Sequence, residues 1–261
     1  MEITSRHRDA VTRIIQQELR PAEDFIFGFA DLKGCIPDRF GEFSCGISIG
    51  KKLDDKIMDK VIAGPTLEYY GHYRKMNDDL YEISRRISDN LNKAGIPAMN
   101  IPPSVTTGEL NTIYHITLRT DLSHKMVATR AGLGWIGKTA LFISTKFGPG
   151  LRLVTILTSA PLNPVAKPVV KSQCGACNIC VKACPAKAAN GLLLEVIIDR
   201  DDFFDAQACR NQCKKFGDQF RQDIRICGIC VAVCPVGKNL TVPVRFNLPN
   251  CLLAPVHYNF L

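Results

Sequence analysis

The sequence predicts two domains of different kinds. Residues 1–165 read as an α/β (α+β) domain and residues 166–240 as a small cysteine-rich domain, with an extended tail over 241–261. Three observations predict this. Most of the 12 cysteines crowd between Cys174 and Cys234. Ahead of them, apolar residues recur with a helical period in some stretches and as short β-branched runs in others. Hydrophobic residues make up 46% of the chain, enough for a buried core. No run of about 18 apolar residues is present, so no transmembrane helix is expected and no membrane partner.

In chain order, Val11, Ile14, Ile15 and Leu19 predict an amphipathic helix over about 5–19. The runs at 24–30 and 43–49 predict buried strands. A helix carrying Ile57, Val61 and Ile62 follows, ended by Gly64-Pro65. The longest helix is expected from Leu67 through Tyr70, Tyr73, Leu80, Ile83 and Ile87 to Leu91, stopped by Gly95 and Pro97. Its tyrosines are expected to be core, because aromatics are enriched in interiors. Residues 96–104 read as extended and 114–120 as a strand. Ser123 is expected to cap a short helix through Arg130. Strands at 139–144 and 151–159 are expected to form a hairpin around Gly148-Pro149-Gly150. Pro161, Pro164 and Pro168 mark a linker.

The stretch from Gly132 to Thr139 matches both the phosphate-loop and the dinucleotide-fingerprint spacings. Either motif needs a strand before it and a helix after it, so that phosphate meets a helix N-terminus. Here the predicted order is the reverse, and Trp135 would crowd a phosphate. The remaining readings are a loop that lets backbone N–H groups approach a ligand, with Lys138 as cation, or a tight turn around a core tryptophan.

The cysteines carry the strongest signal. Cys174, Cys177, Cys180 and Cys184-Pro185 make a complete C-x2-C-x2-C-x3-C-P run, as in bacterial two-cluster ferredoxins. Cys227, Cys230 and Cys234-Pro235 make a second run that lacks one cysteine. In that pattern the cysteine before proline ligates the other cluster. One [4Fe-4S] cluster is therefore expected on Cys174, Cys177, Cys180 and Cys234. The other takes Cys227, Cys230, Cys184 and either Cys209 or Cys213. Zinc is the main rival, since paired C-x2-C units also make zinc ribbons. Cys35, Cys45 and Cys251 are left as inert thiols, and the five histidines show no metal-ligand spacing.

Formal charge is +8, from 33 Lys and Arg against 25 Asp and Glu. Two loaded clusters would offset about 4 of these charges, so a polyanionic partner is permitted but not demanded. The charged N-terminus lacks a signal-peptide pattern, and a reducing cytoplasm is expected.

The segment RAGLGWIGKTALFIS followed by CGACNICVKACP and CGICVAVCP resembles the epoxyqueuosine reductases, cobalamin-dependent enzymes that complete queuosine in tRNA. GFADL at 28–32 and the segment 71–91 add to the likeness, which spans about residues 25–236. Respiratory reductive dehalogenases share the general plan. The resemblance implies a corrinoid between the two domains, next to Gly134, Trp135, Gly137 and Lys138. It also implies Cys209 as the eighth cluster ligand and a low-potential electron donor of ferredoxin or flavodoxin type as partner. Two departures stand out. The family's aspartate proton donor falls at Leu118 here, which leaves Asp121 as the nearest acid and the tentative catalytic residue; a cap-type surface aspartate beside Ser123 is the plainer reading. Only 27 residues follow Cys234, without the helical repeats that help hold tRNA, which counts against tRNA as substrate and towards a small electrophile. A cluster-bearing electron carrier serving a partner is the alternative.

Overall fold

The computed structural model describes residues 2–105, 110–162, 166–195 and 198–238, with backbone only for 2–6. The tail expected at 241–261, with Cys251 and His257, and Pro164 of the linker lie outside the described residues.

A four-stranded sheet organises the front of the molecule. Its strands are β1 (Phe25–Asp31), β2 (Cys45–Lys52), β3 (Ala98–Ile101) and β6 (Leu151–Thr158), in the order β1-β2-β6-β3. Every pairing is antiparallel. Both faces are covered, so β2 and β6 read as nearly continuous apolar runs rather than as clean alternation. Ile47, Ile49, Val154 and Ile156 face two helices, α1 (Glu2–Glu18) and α3 (Leu67–Lys93). Those helices present Val11, Ile15, Leu80, Ile87 and Leu91, all fully buried. The periodicity that predicted α3 is thus the stripe it buries, and Thr66 caps it by accepting from the Tyr69 N–H at 3.1 Å.

The other face meets α5 (His124–Arg130), capped by Ser123 as expected. Small residues make this contact close. A Cβ at Gly46 would stand 2.8 Å from Leu32 and Val127, and one at Gly28 would stand 3.1 Å from the Ala131 carbonyl. The two strands β4 (Gly134–Ile136) and β5 (Phe142–Ser144) form a separate sheet beside α5.

Three expectations are corrected. The stretch 114–120 is not a strand but the end of a helix, α4 (Thr112–Thr117), with Leu118 left-handed at its C-cap. The Asn111 side chain accepts from the Tyr114 N–H at 2.9 Å, and this cap starts a helix despite the β-branched composition. Its apolar residues Ile113 and Ile116 are 69% and 70% exposed, so their pattern does not mark a core-facing strand. The expected hairpin between 139–144 and 151–159 is also absent. β5 pairs with β4, and β6 joins the main sheet, because mutual backbone bonds between Ser144 and Gly148 turn the chain away. The helix expected around Ile57 is only four residues, α2 (Asp55–Met58), continued as a 3-10 turn.

Behind this front domain lie α6 (Ile179–Ala183), α7 (Arg200–Phe203), α8 (Ala206–Gln219) and α9 (Ile229–Ala232). They do not stand apart. Ile226, Ala232, Phe220 and Ile224 pack with Leu53, Met58, Val61, Tyr69 and Tyr70 in one shared core. As expected, Tyr69 and Tyr70 are core residues.

Candidate metal centre

Both cysteine runs begin with the same turn. Gly175 follows Cys174 with φ 52°, and Gly228 follows Cys227 with φ 85°. Left-handed glycine turns the chain sharply, so that the next cysteine points to the same side as the first. Short helices α6 and α9 then carry Cys180 and Cys230; Cys184 is the C-cap of α6, and Cys234 follows the C-cap of α9, Val233. The two helices pack against each other.

This packing exchanges the last cysteines. Cys234 lies within electrostatic reach of Cys180, Cys174 and Cys177. Cys227 lies near Cys209 and Cys184, and Cys230 near Cys209, Cys227 and Cys180. Cys184, Cys209, Cys227 and Cys230 together line a cavity of about 260 Å³. Cys213 does not line it. It sits one turn further along α8, buried, and hydrogen-bonds to Cys209. That bond holds the Cys209 thiol below its ordinary value and Cys213 above. Burial pushes Cys227 up to about 11 and Cys234 up to about 12, and it raises Cys230 and Cys180 as well. Buried thiols of this kind ionise when a metal takes the proton's place. Among the described residues, no three His, Cys, Asp or Glu converge on a single-ion site. A four-iron cube asks for no such convergence, because each thiolate binds its own iron, whereas zinc would draw four sulfurs to about 2.3 Å from one centre. The donor set fits a pair of cubes.

The glycine-rich loop lies against these cysteines. A helix precedes it and strands follow, which removes both nucleotide-binding readings. Trp135, 7% exposed, donates its indole N–H to Cys174 Sγ at 3.4 Å. A Cβ on Gly137 would lie 3.5 Å from the same sulfur, and one on Gly134 would overlap the Ile143 carbonyl at 2.0 Å. Lys138, 3% exposed, donates to Asn178 Oδ1 at 2.8 Å, between Cys177 and Cys180. Thr139 lies beside Cys230 and lines the same cavity. The ammonium of Lys138 is therefore not a free cation. The four loop residues are buried and make interior contacts to the cysteine-rich segment.

Asp121 lies before α5 in an ion pair with Arg39, 2.6 Å long, with both side chains 52% exposed. Such a pair contributes about 0–1 kcal/mol. Asp121 does not line the cavity. Leu118 does, held by Arg200, whose guanidinium donates to the carbonyls of Leu118 at 3.0 Å and Thr117 at 2.6 Å. Lys125 also lines it and donates to the Ala140 carbonyl at 2.8 Å. Burial, then Arg200 and Arg119, push its ammonium down to about 8, against the opposing pull of Cys209. The sequence offered no sign of Lys125 or Arg200, since each is a lone basic residue brought in by tertiary packing. Thr139 was visible only as the last position of a rejected phosphate-loop pattern.

Residues 173–237 match the family of 4Fe-4S double cluster binding domains. The chain is 29% identical over 150 residues to the epoxyqueuosine reductase of Listeria monocytogenes, covering 55% of this chain and 34% of that protein. Its fold is similar to that of an epoxyqueuosine reductase crystallised with a modified tRNA stem loop, at a TM-score of 0.57 and 17% identity over 90% of this chain and 66% of the other. It is also similar to a reductive dehalogenase described as B12-dependent, at a TM-score of 0.60 and 14% identity over 83% of this chain and 30% of the other. The chain thus spans about a third of the length of that Listeria relative. The resemblance expected from the motifs stands in sequence and in fold. No helix among the described residues is long and apolar enough to cross a membrane.

Proposed function

We propose that this chain, a relative of the epoxyqueuosine reductases by sequence and fold, is an iron–sulfur oxidoreductase carrying two [4Fe-4S] clusters. One would be held by Cys174, Cys177, Cys180 and Cys234, the other by Cys184, Cys209, Cys227 and Cys230. The observation that carries this reading is the exchange of Cys184 and Cys234 between two matching turns, with Cys209 in the cavity. Bound clusters would supply single electrons at low potential. The chain's own residues hold the thiolates and donate hydrogen bonds to the sulfurs.

For the electron acceptor we propose cobalamin, on the likeness to a B12-dependent dehalogenase. The helix α4, whose C-cap Leu118 lines the cavity, carries the exposed apolar residues Ile113 and Ile116. Gln207, two residues from Cys209, donates to the His115 and Ile116 carbonyls at 2.9 and 3.0 Å, which ties that helix to the cluster ligand. The substrate would be epoxyqueuosine in tRNA or a small electrophile, and the donor a ferredoxin or flavodoxin in the cytoplasm. Asp121 is the proposed proton donor, because it is the acid nearest to the position that Leu118 takes. A second reading is favoured by Leu118 itself. An apolar residue at the family's aspartate position suits an electron carrier that serves a partner.

Anaerobic reconstitution tests the first half, with about eight irons per chain expected. Titration with cobalamin separates the two readings. A one-to-one complex whose cobalt is reduced by the clusters supports the reductase, and intact clusters without cobalamin binding support the carrier. If turnover is found, the rate of Asp121→Asn should fall at least tenfold; an unchanged rate removes Asp121 from the mechanism.

A further inference from the structure

The loop from Trp135 to Thr139 reaches both groups of cysteines from outside the cysteine-rich segment. Other sulfur contacts come from the cysteine-rich segment itself. The Ala188 N–H donates to Cys184 Sγ at 3.5 Å, and backbone bonds near Ile229 and Val236 serve Cys227 and Cys234. Trp135 and Thr139 are different, because they stand 39 and 91 positions from Cys174 and Cys230 and belong to the front domain. Trp135 is buried at the end of its reach, with Gly137 giving the sulfur room. Thr139 is buried too, and it lines the cavity together with Cys230. Lys138, between them, fixes the loop on Asn178.

We infer that Trp135 and Thr139 are positioning residues that set the reduction potentials of the two clusters, one residue for each cluster. The inference rests on the cluster assignment above. An electron added to a cube spreads onto its thiolates, so a fixed N–H or O–H donor stabilises the reduced form more than the oxidised one. In a water-excluded interior this difference is larger than at a surface. The electron enters and leaves the cube, the donor's proton stays on the indole or hydroxyl, and no bond breaks. Removing either donor lowers one midpoint potential and leaves the other in place.

The test is an EPR-monitored redox titration of the anaerobically reconstituted full chain, with iron counted on every sample. Thr139→Val keeps the shape and removes the hydroxyl, and Thr139→Ser restores a donor. Trp135→Phe removes the indole N–H. The expected result is full iron in all three. One midpoint falls in Thr139→Val and returns in Thr139→Ser, and the other midpoint falls in Trp135→Phe. Full iron with both midpoints unmoved in Thr139→Val, or a midpoint that Thr139→Ser does not restore, would overturn the inference while leaving the clusters standing. If Trp135→Phe loses iron, the indole is a packing residue and its half of the inference fails, with the Thr139 pair still decisive for the other half. Failure of the wild-type chain to bind iron would instead sink the cluster assignment itself.

Discussion

The two cysteine runs share a turn and differ in how they are completed. The run from Cys174 to Cys184 has all four cysteines of the pattern, and its glycine turn faces open space, with nothing within 4 Å of a Cβ placed on Gly175. The run from Cys227 to Cys234 takes its missing partner from α8. Its glycine turn is pressed against the front domain, where a Cβ on Gly228 would stand 2.7 Å from both Tyr69 and Val61. Each site takes one cysteine from the other run, and only the second also needs a ligand from α8. That second site should therefore fail first when packing is disturbed.

The largest expected effect breaks the comparison at its least local point. Cys209→Ser should lower the iron content from about eight to about four per chain, and Cys213→Ser should keep about eight. The opposite pattern would move the ligand one helical turn along α8. The glycine turns sharpen the contrast. Gly175→Ala should cost about 1–2 kcal/mol, the price of a left-handed residue with a side chain. Gly228→Ala should cost clearly more, because its new methyl also collides with core side chains. Chemical denaturation of the apo and loaded protein measures both, and equal losses would contradict the difference in packing.

The smallest effect lies in the front domain and sharpens the comparison as a control outside both runs. His72 Nε2 accepts the Asp54 N–H at 3.0 Å, a bond that requires neutral imidazole. Burial lowers the histidine's pKa below its ordinary value, Asp54 opposes this, and Lys51 and Lys75 add to the lowering. A folded-state pKa below the unfolded one contributes stability above the unfolded pKa, and this is lost as pH falls through the folded value. Stability should thus decline slightly from about pH 6.5 downward, and less so in His72→Gln. An identical pH profile in the variant would exclude His72 as the cause.

The cluster-bearing segment was more legible in the sequence than the framework around it. Spacing alone names the two runs, because consecutive ligands must come from adjacent turns. The strands β1 and β2 and the helices α1, α3 and α5 were legible for a similar reason, since each buries a continuous stripe or run. The strand expected at 114–120 was misread because the Asn111 cap and the exposure of Ile113 and Ile116 are not visible in apolar spacing. The pairing of β5 with β4 was hidden because the mutual backbone bonds between Ser144 and Gly148 that turn the chain away leave no mark in apolar spacing. The glycine-rich loop left two readings open, and the buried Trp135 agrees with a turn around a core tryptophan. What approaches it is the sulfur of Cys174, which no local pattern could announce.

The central claim is the exchange of Cys184 and Cys234 between the two sites. It is tested most directly by comparing the EPR and Mössbauer spectra of reconstituted Cys184→Ser, Cys209→Ser and Cys174→Ser. The exchange predicts that Cys184→Ser loses the same cluster signal as Cys209→Ser and keeps the signal lost in Cys174→Ser. A Cys184→Ser spectrum that matches Cys174→Ser instead would show each run holding its own cluster, and the account would be wrong at its base.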